Sequence, residues 1–105
     1  MASKIAIAPQ ANLDLEQHFE YIAINDADSA MRFFDAVRST FSQLAKNPGI
    51  GRIYEVKNPN LQGLRKWRVT GFEKYLIFYQ YSEETLTIIR LIHGSRDIAS
   101  ILVEE

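Results

Sequence analysis

The residues best equipped for chemistry lie in the second half of the chain: Glu55, then Arg65, Lys66 and Arg68, then Arg90, then the closing run His93-Gly94-Ser95-Arg96-Asp97. An imidazole and a carboxylate can serve as general acid and base, and guanidinium and ammonium groups can hold an anion. His93 and Glu55 are the candidate acid and base, and Arg65, Lys66, Arg68 and Arg90 the candidate cations. Each has a plainer reading. A histidine at a strand end is commonly a hydrogen-bonded structural residue. Arg96-Asp97 reads as a local ion pair or helix cap before it reads as a catalytic pair. Trp67 and Tyr79 read as packing residues before base-stacking platforms. With no chemistry at all, Arg65, Lys66, Arg68, Arg90 and Arg96 remain a candidate set for contacting a target, or a solvated strand face.

The elements that must position these residues are strands. Leu64 to Thr70, Lys74 to Tyr81 and Leu86 to His93 are rich in β-branched and aromatic residues. The connections around Gly71-Phe72-Glu73 and Ser82-Glu83-Glu84-Thr85 are short enough to force an antiparallel meander. Strict alternation sets Lys66, Arg68 and Thr70 against Arg65, Trp67 and Val69, and sets Ile88, Arg90 and Ile92 against Ile89, Leu91 and His93. Neither face of the last two strands is plainly polar. Helices are therefore expected on one side, and on the other a concave, partly apolar surface bearing Arg and Tyr.

The first half supplies the helices. Ile5 and Ile7 alternate in a short strand that Pro9 closes. A helix over 12–24 follows, with Asn12 as N-cap, Asp14 and Glu16 in the first turn, and Leu15, Phe19 and Ile22 on one face. Asn25-Asp26-Ala27-Asp28 interrupts it and offers new caps. A second helix over 28–46 carries Ala30, Phe33, Phe34, Val37, Phe41 and Leu44 at helical spacing, and Asn47-Pro48-Gly49 stops it. A connection this short makes an antiparallel hairpin, whose stripe of Phe19, Phe33, Phe34 and Phe41 is expected to pack on the sheet. Ile50 to Gly63 reads as irregular, and Ser95 or Asp97 as the cap of a short last helix bearing Ile98, Ile101 and Leu102. The expected fold is α+β, in the order β-α-α-β-β-β, with one layer of each and the first strand along an edge of the meander.

Composition narrows the class. The 105 residues fit one domain, 1–105, and the apolar fraction of 47% is that of a globular protein. The absence of cysteine excludes disulfides and thiolate metal sites, and no cofactor is expected. The apolar run before Pro9 is too short for a secretory signal, and Tyr75 to Tyr79 too short to span a bilayer, so a cytoplasmic protein is expected. Net charge is −1, so no bulk cationic field announces a nucleic-acid binder. The distribution is uneven, with an acidic first third and a basic middle of Lys46, Arg52, Lys57, Arg65, Lys66 and Arg68.

Five further stretches stand out in order: Leu15 with Tyr21-Ile22-Ala23, Asn47-Pro48-Gly49-Ile50-Gly51-Arg52, Leu64-Arg65-Lys66-Trp67-Arg68-Val69, Tyr75-Leu76-Ile77-Phe78-Tyr79, and Ile92-His93-Gly94-Ser95-Arg96-Asp97-Ile98 with Ile101-Leu102. Together they resemble the RelE/ParE superfamily of type II toxin–antitoxin toxins, and more closely its ParE branch. The set covers nearly the whole chain, in order.

The resemblance implies a toxin of the plasmid-stabilisation type, neutralised by a cognate antitoxin that is ParD-like or RelB-like. For the ParE branch it implies inhibition of DNA gyrase, with no chemistry of the toxin's own. For the RelE branch it implies mRNA cleavage on the ribosome, with Arg65, Arg68, Arg90 and His93 as the set to carry it. A diverged member that keeps antitoxin binding and has lost toxicity is a third reading. RelE-like nucleases usually carry a C-terminal Tyr or His-Tyr element and are clearly basic. Here the last tyrosine is Tyr81, Ile98-Ala99-Ser100 occupies the matching region, and the chain is slightly acidic. The gyrase reading is therefore the expected one.

Overall fold

Pro9 begins a helix as well as ending a strand. Its missing N–H costs nothing at a first helical position, where no intrahelical partner exists. In the computed structural model, which describes residues 1–103, strand β1 (Lys4–Ile7) runs into helix α1 (Pro9–Asn25), with Ala8 at the N-cap and no side-chain cap. Helix α1 thus starts before the expected 12–24. Asn12 lies inside it, and Asp14 sits beyond the first turn.

One residue joins α1 to α2 (Ala27–Lys46). Asp26 donates its N–H to the Ile22 carbonyl at 3.0 Å, closing α1. Its carboxylate then accepts the N–H groups of Asp28 and Ser29 at 3.0 and 3.2 Å, opening α2. The Ser29 hydroxyl, which donates to Oδ2 at 2.8 Å, and then those backbone bonds hold the Asp26 carboxyl below the usual carboxylate range.

The remaining elements are β2 (Arg52–Ile53), a 3₁₀ turn at Pro59–Leu61, β3 (Arg65–Val69), β4 (Phe72–Ser82), β5 (Thr85–His93) and α3 (Ile98–Val103). Among the described residues, β1 and these four strands build a five-stranded sheet in the order β1-β5-β4-β3-β2, in which only β1–β5 is parallel. The first strand thus lies on the edge of the meander, as expected. The two-residue β2 lies inside the stretch expected to be irregular. Such a short strand carries no readable alternation.

The sheet is covered on both faces. Phe33, Val37, Phe41 and Leu44 of α2 pack with Val69, Ile77, Tyr79, Leu86, Ile88 and Leu91 in the main core. On the other face Leu61, Leu64, Phe78, Ile92 and Leu102 form a second, smaller core under α3 and the 54–64 loop. One layer of each was therefore too simple: α3 and the loop roof part of the surface expected to be open. The helical stripe also divides. Phe33 and Phe41 are buried, whereas Phe19 and Phe34 meet edge to face at 6.3 Å and line a groove on the hairpin instead of the sheet. No helix among the described residues is long and apolar enough to cross a membrane.

Alternation along β5 is broken by a bulge. Phe78 pairs with Arg90, but Tyr79 pairs with Ile88, so Ile89 is extra. Ile88 then joins the helix-side core and Ile92 the opposite one, where strict alternation had put them on one face.

Candidate functional site

The register of β2, β3 and β4 gathers the free cations. Arg52 pairs with Lys66, and Lys66 and Arg68 pair with Phe78 and Leu76. Directly opposed residues share a face. Arg52, Lys66 and Arg68 therefore stand together on the face away from the helical hairpin. They border a shallow hollow of about 280 Å³ with Trp67, Glu73 and Leu76. The Arg68 guanidinium lies 4.4 Å from the Trp67 ring centroid, and the Lys66 ammonium 5.5 Å from that of Tyr54. These cation–π contacts hold the two long side chains without neutralising them. No carboxylate among the described residues lies within ion-pair distance of the three.

The other sequence-predicted residues lie elsewhere. Arg65 is turned towards the Pro48–Gly51 loop, where Nη1 donates to the carbonyls of Gly51 and Gly49 at 2.6 and 3.4 Å. Arg90 is largely buried and bonded to Asp14 of α1, with Nε to Oδ2 at 2.7 Å and Nη2 to Oδ1 at 3.0 Å. Glu55 is exposed and lines a separate hollow with Tyr54, Val56 and Leu61.

His93 is on the helix side. It pairs with Tyr75, whose ring packs against Phe33 in the main core and lies 4.9 Å from the His93 ring. The Ser95 N–H donates to His93 Nδ1 at 3.1 Å, and Ser95 Oγ is 2.8 Å from the same nitrogen. Across Tyr75 stands His18, whose Nε2 donates to the Leu91 carbonyl at 2.8 Å. Burial lowers the His18 pKa, and the nearby His93 and Arg96 push the same way against the Leu91 carbonyl and Asp14. Arg96 is exposed in the turn after β5, where its N–H donates to the His93 carbonyl at 3.0 Å. Asp97 accepts from Ser100 N–H at 3.4 Å and Oγ at 2.8 Å, so it caps α3.

The four residues needed for a nuclease are thus not brought together. Arg68 is free on the outer face, Arg65 braces a loop, Arg90 is paired, and His93 lies on the opposite face of the sheet. No group of three or more His, Cys, Asp or Glu among the described residues is placed to hold a metal ion. Arg52 completes the basic patch but was only part of a general basic stretch in the sequence. Its signal was the register of β2, which composition does not carry.

A second surface lies on the hairpin. Leu15, Phe19, Met31 and Phe34, with Asn12, Glu16 and Glu20, line a groove of about 410 Å³ between α1 and α2. Leu13, Tyr21 and Ile24 of α1 are also exposed. These apolar groups alternate with acids, which suits a partner helix carrying apolar and basic side chains.

The chain is similar in fold to a solved chromosomal ParDE toxin–antitoxin system from P. aeruginosa. The TM-score is 0.68 at 17% identity, covering 86% of this chain and 94% of that one. It is also similar to the YoeB–YefM complex from Staphylococcus aureus, with a TM-score of 0.53 at 16% identity, over 86% of this chain and 94% of that one. No curated protein matches it in sequence. The model of the ParE toxin of the type II toxin–antitoxin system parDE matches residues 5–98, nearly the full length described above, and this chain belongs to that toxin family.

Proposed function

We propose that this chain inhibits DNA gyrase and is neutralised by a cognate antitoxin, acting inside the cell without chemistry of its own. The observation that carries this reading is the dispersal of the nuclease set. Cleavage needs an acid, a base and phosphate-binding cations around one point. Here His93 and Arg68 stand on opposite faces of the sheet, and Arg90 is bonded to Asp14. An inhibitor needs only a surface complementary to the gyrase–DNA complex, and the Arg52–Lys66–Arg68 patch, which makes no ion pair among the described residues, offers one. The antitoxin is assigned to the hairpin groove, where an amphipathic helix would cover Leu15, Phe19, Met31 and Phe34.

The test runs two reactions side by side, gyrase supercoiling and ribosomes programmed with mRNA. Loss of supercoiling with intact mRNA is expected, and a stoichiometric amount of antitoxin should restore it. Codon-specific mRNA cuts with untouched supercoiling would replace this reading with the ribosomal one. A folded protein inert in both would leave an antitoxin-binding member without toxicity.

A further inference from the structure

The three cations have a geometry that says what they fit. Lys66 and Arg68 are two residues apart on one strand, so their Cα atoms are separated by about 6.6 Å. Arg52 stands beside Lys66 on the next strand, a pair about 5 Å apart. A single nucleic-acid strand carries one phosphate per ~3.4 Å of duplex axis, so a cation array of this size spans two or three phosphates. No carboxylate among the described residues lies at ion-pair distance from the three, which leaves their charges for an outside anion. Glu73, the acid on the rim, already accepts the Gly71 N–H at 2.7 Å.

The aromatic rings decide which nucleic acid. Single-strand binding usually offers open rings on which bases stack. Neither ring here is open. Trp67 has Arg68 over it and also packs against the helix-side core. Tyr54 has Lys66 over it and meets Phe78 edge to face at 5.2 Å. The patch therefore presents charge and hydrogen-bond donors but no stacking platform.

We infer that Arg52, Lys66 and Arg68 bind the phosphate backbone of duplex DNA directly, without reading its sequence. The inference deepens the gyrase reading, on which it rests for biological context, because gyrase holds a duplex. At the bound complex the patch would lie on the DNA rather than on the enzyme's protein surface. The chemistry itself concerns this chain and DNA alone.

The test measures fluorescence anisotropy of a short labelled blunt duplex with the purified full chain, without gyrase, from 50 to 200 mM salt. Three phosphate contacts predict a slope of log K against log salt of about −2.7, or roughly a 40-fold weakening over that range. Arg52→Gln with Arg68→Gln should reduce the slope to about −0.9, roughly a 3.5-fold weakening, with circular dichroism and antitoxin binding unchanged. The single variant Lys66→Gln, which leaves both arginines, should give an intermediate slope. Absence of duplex binding at 50 mM salt overturns the inference, as does a slope that the substitutions leave unmoved. Tenfold preference for single-stranded RNA over duplex also overturns it, in favour of an RNA partner. If duplex binding behaves as stated while gyrase supercoiling is untouched, the gyrase reading fails and this inference stands. If supercoiling is lost but no DNA is bound, the reverse holds.

Discussion

Arg90 on β5 is locked to Asp14 on α1 by two hydrogen bonds, and the same carboxylate accepts the Leu91 N–H at 2.9 Å. One acid therefore ties the first helix to the central sheet through a side chain and a backbone donor. Gln10 adds a bond to its Oδ1 at 3.3 Å. Breaking a buried pair by removing one partner strands the other group away from water. Asp14→Ala is expected to cost about 3–5 kcal/mol, which is a large share of the stability of a small domain. Urea unfolding measures it. A loss under about 1 kcal/mol would show that this contact does not hold the hairpin to the sheet.

Tyr79 and Gly51 form the second joint. The buried Tyr79 hydroxyl donates to the Pro48 carbonyl at 2.7 Å and accepts the Gly51 N–H at 2.9 Å, fixing the loop after α2 to the sheet. Burial raises its pKa against the opposing pull of Gly51 and Arg65. Tyr79→Phe leaves both backbone groups without that partner and should cost about 1–3 kcal/mol. Gly51→Ala should be worse. A Cβ there would stand 2.5 Å from the Tyr79 hydroxyl and 2.9 Å from the Lys66 carbonyl, and that backbone atom has little room to yield. Thermal unfolding of the two variants ranks them, and a Gly51→Ala protein as stable as the parent would contradict the packing described.

The β4–β5 turn stores strain that can be removed. Glu83 and Glu84 have φ of 52° and 62°, between the paired Ser82 and Thr85. A two-residue turn with both φ positive matches the twist of a hairpin, but it favours Asn-Gly over side chains with a full Cβ. Glu83→Asn with Glu84→Gly should stabilise the chain by about 1–2 kcal/mol. The Ser3 N–H donation to the Glu84 carbonyl is a backbone bond and survives the change. An unchanged urea midpoint would mean that the turn is relaxed despite its φ values.

Much of this fold is legible in the sequence where a pattern is long. Phe33, Val37, Phe41 and Leu44 repeat over three turns and are buried as a stripe. The meander is announced by three strand-like runs and two short connections. What the sequence hides is set by single-residue events. The bulge at Ile89 shifts Ile92 to the other face, and no local signal marks it. Asp14 looks like a first-turn acid until Pro9 is recognised as the helix start. Arg90 has the residue type of a phosphate ligand, yet its role depends on a carboxylate 76 positions earlier in the chain. Of the five arginines and lysines expected to face a target, Lys66 and Arg68 share a face because alternation is intact in β3. Their third partner, Arg52, follows only from pairing.

His18 should make stability depend on pH. Its folded-state pKa lies below the ordinary 6.5, chiefly through burial, with its Nε2–H on the Leu91 carbonyl. Below the unfolded pKa the unfolded chain binds the proton more readily than the native one. The contribution of His18 is therefore complete above about pH 7 and is lost as pH falls through 6.5 towards the depressed folded value. The neighbours that face it are His93, Arg96 and Asp14. Urea midpoints taken from pH 8 to pH 5 should fall, and His18→Gln should flatten that part of the curve. A profile that keeps its shape in the variant would place the titrating group elsewhere.

The two surfaces should separate by mutation. Arg68→Glu reverses a charge on the outer face, where the side chain is exposed and makes no ion pair among the described residues. Met31→Glu puts a charge on the rim of the hairpin groove, at a position 54% exposed, so the isolated fold should tolerate it. In a helix-in-groove complex the new carboxylate would be desolvated against apolar side chains, a loss of about 10- to 100-fold in antitoxin affinity. Arg68→Glu is expected to weaken gyrase inhibition while leaving antitoxin affinity intact. Met31→Glu is expected to do the opposite, giving a toxin that the antitoxin no longer silences. Supercoiling assays and titration calorimetry with the antitoxin read the two effects independently. If Met31→Glu lowers inhibition as much as antitoxin binding, the groove also serves the target, and the assignment of one surface to each partner is wrong.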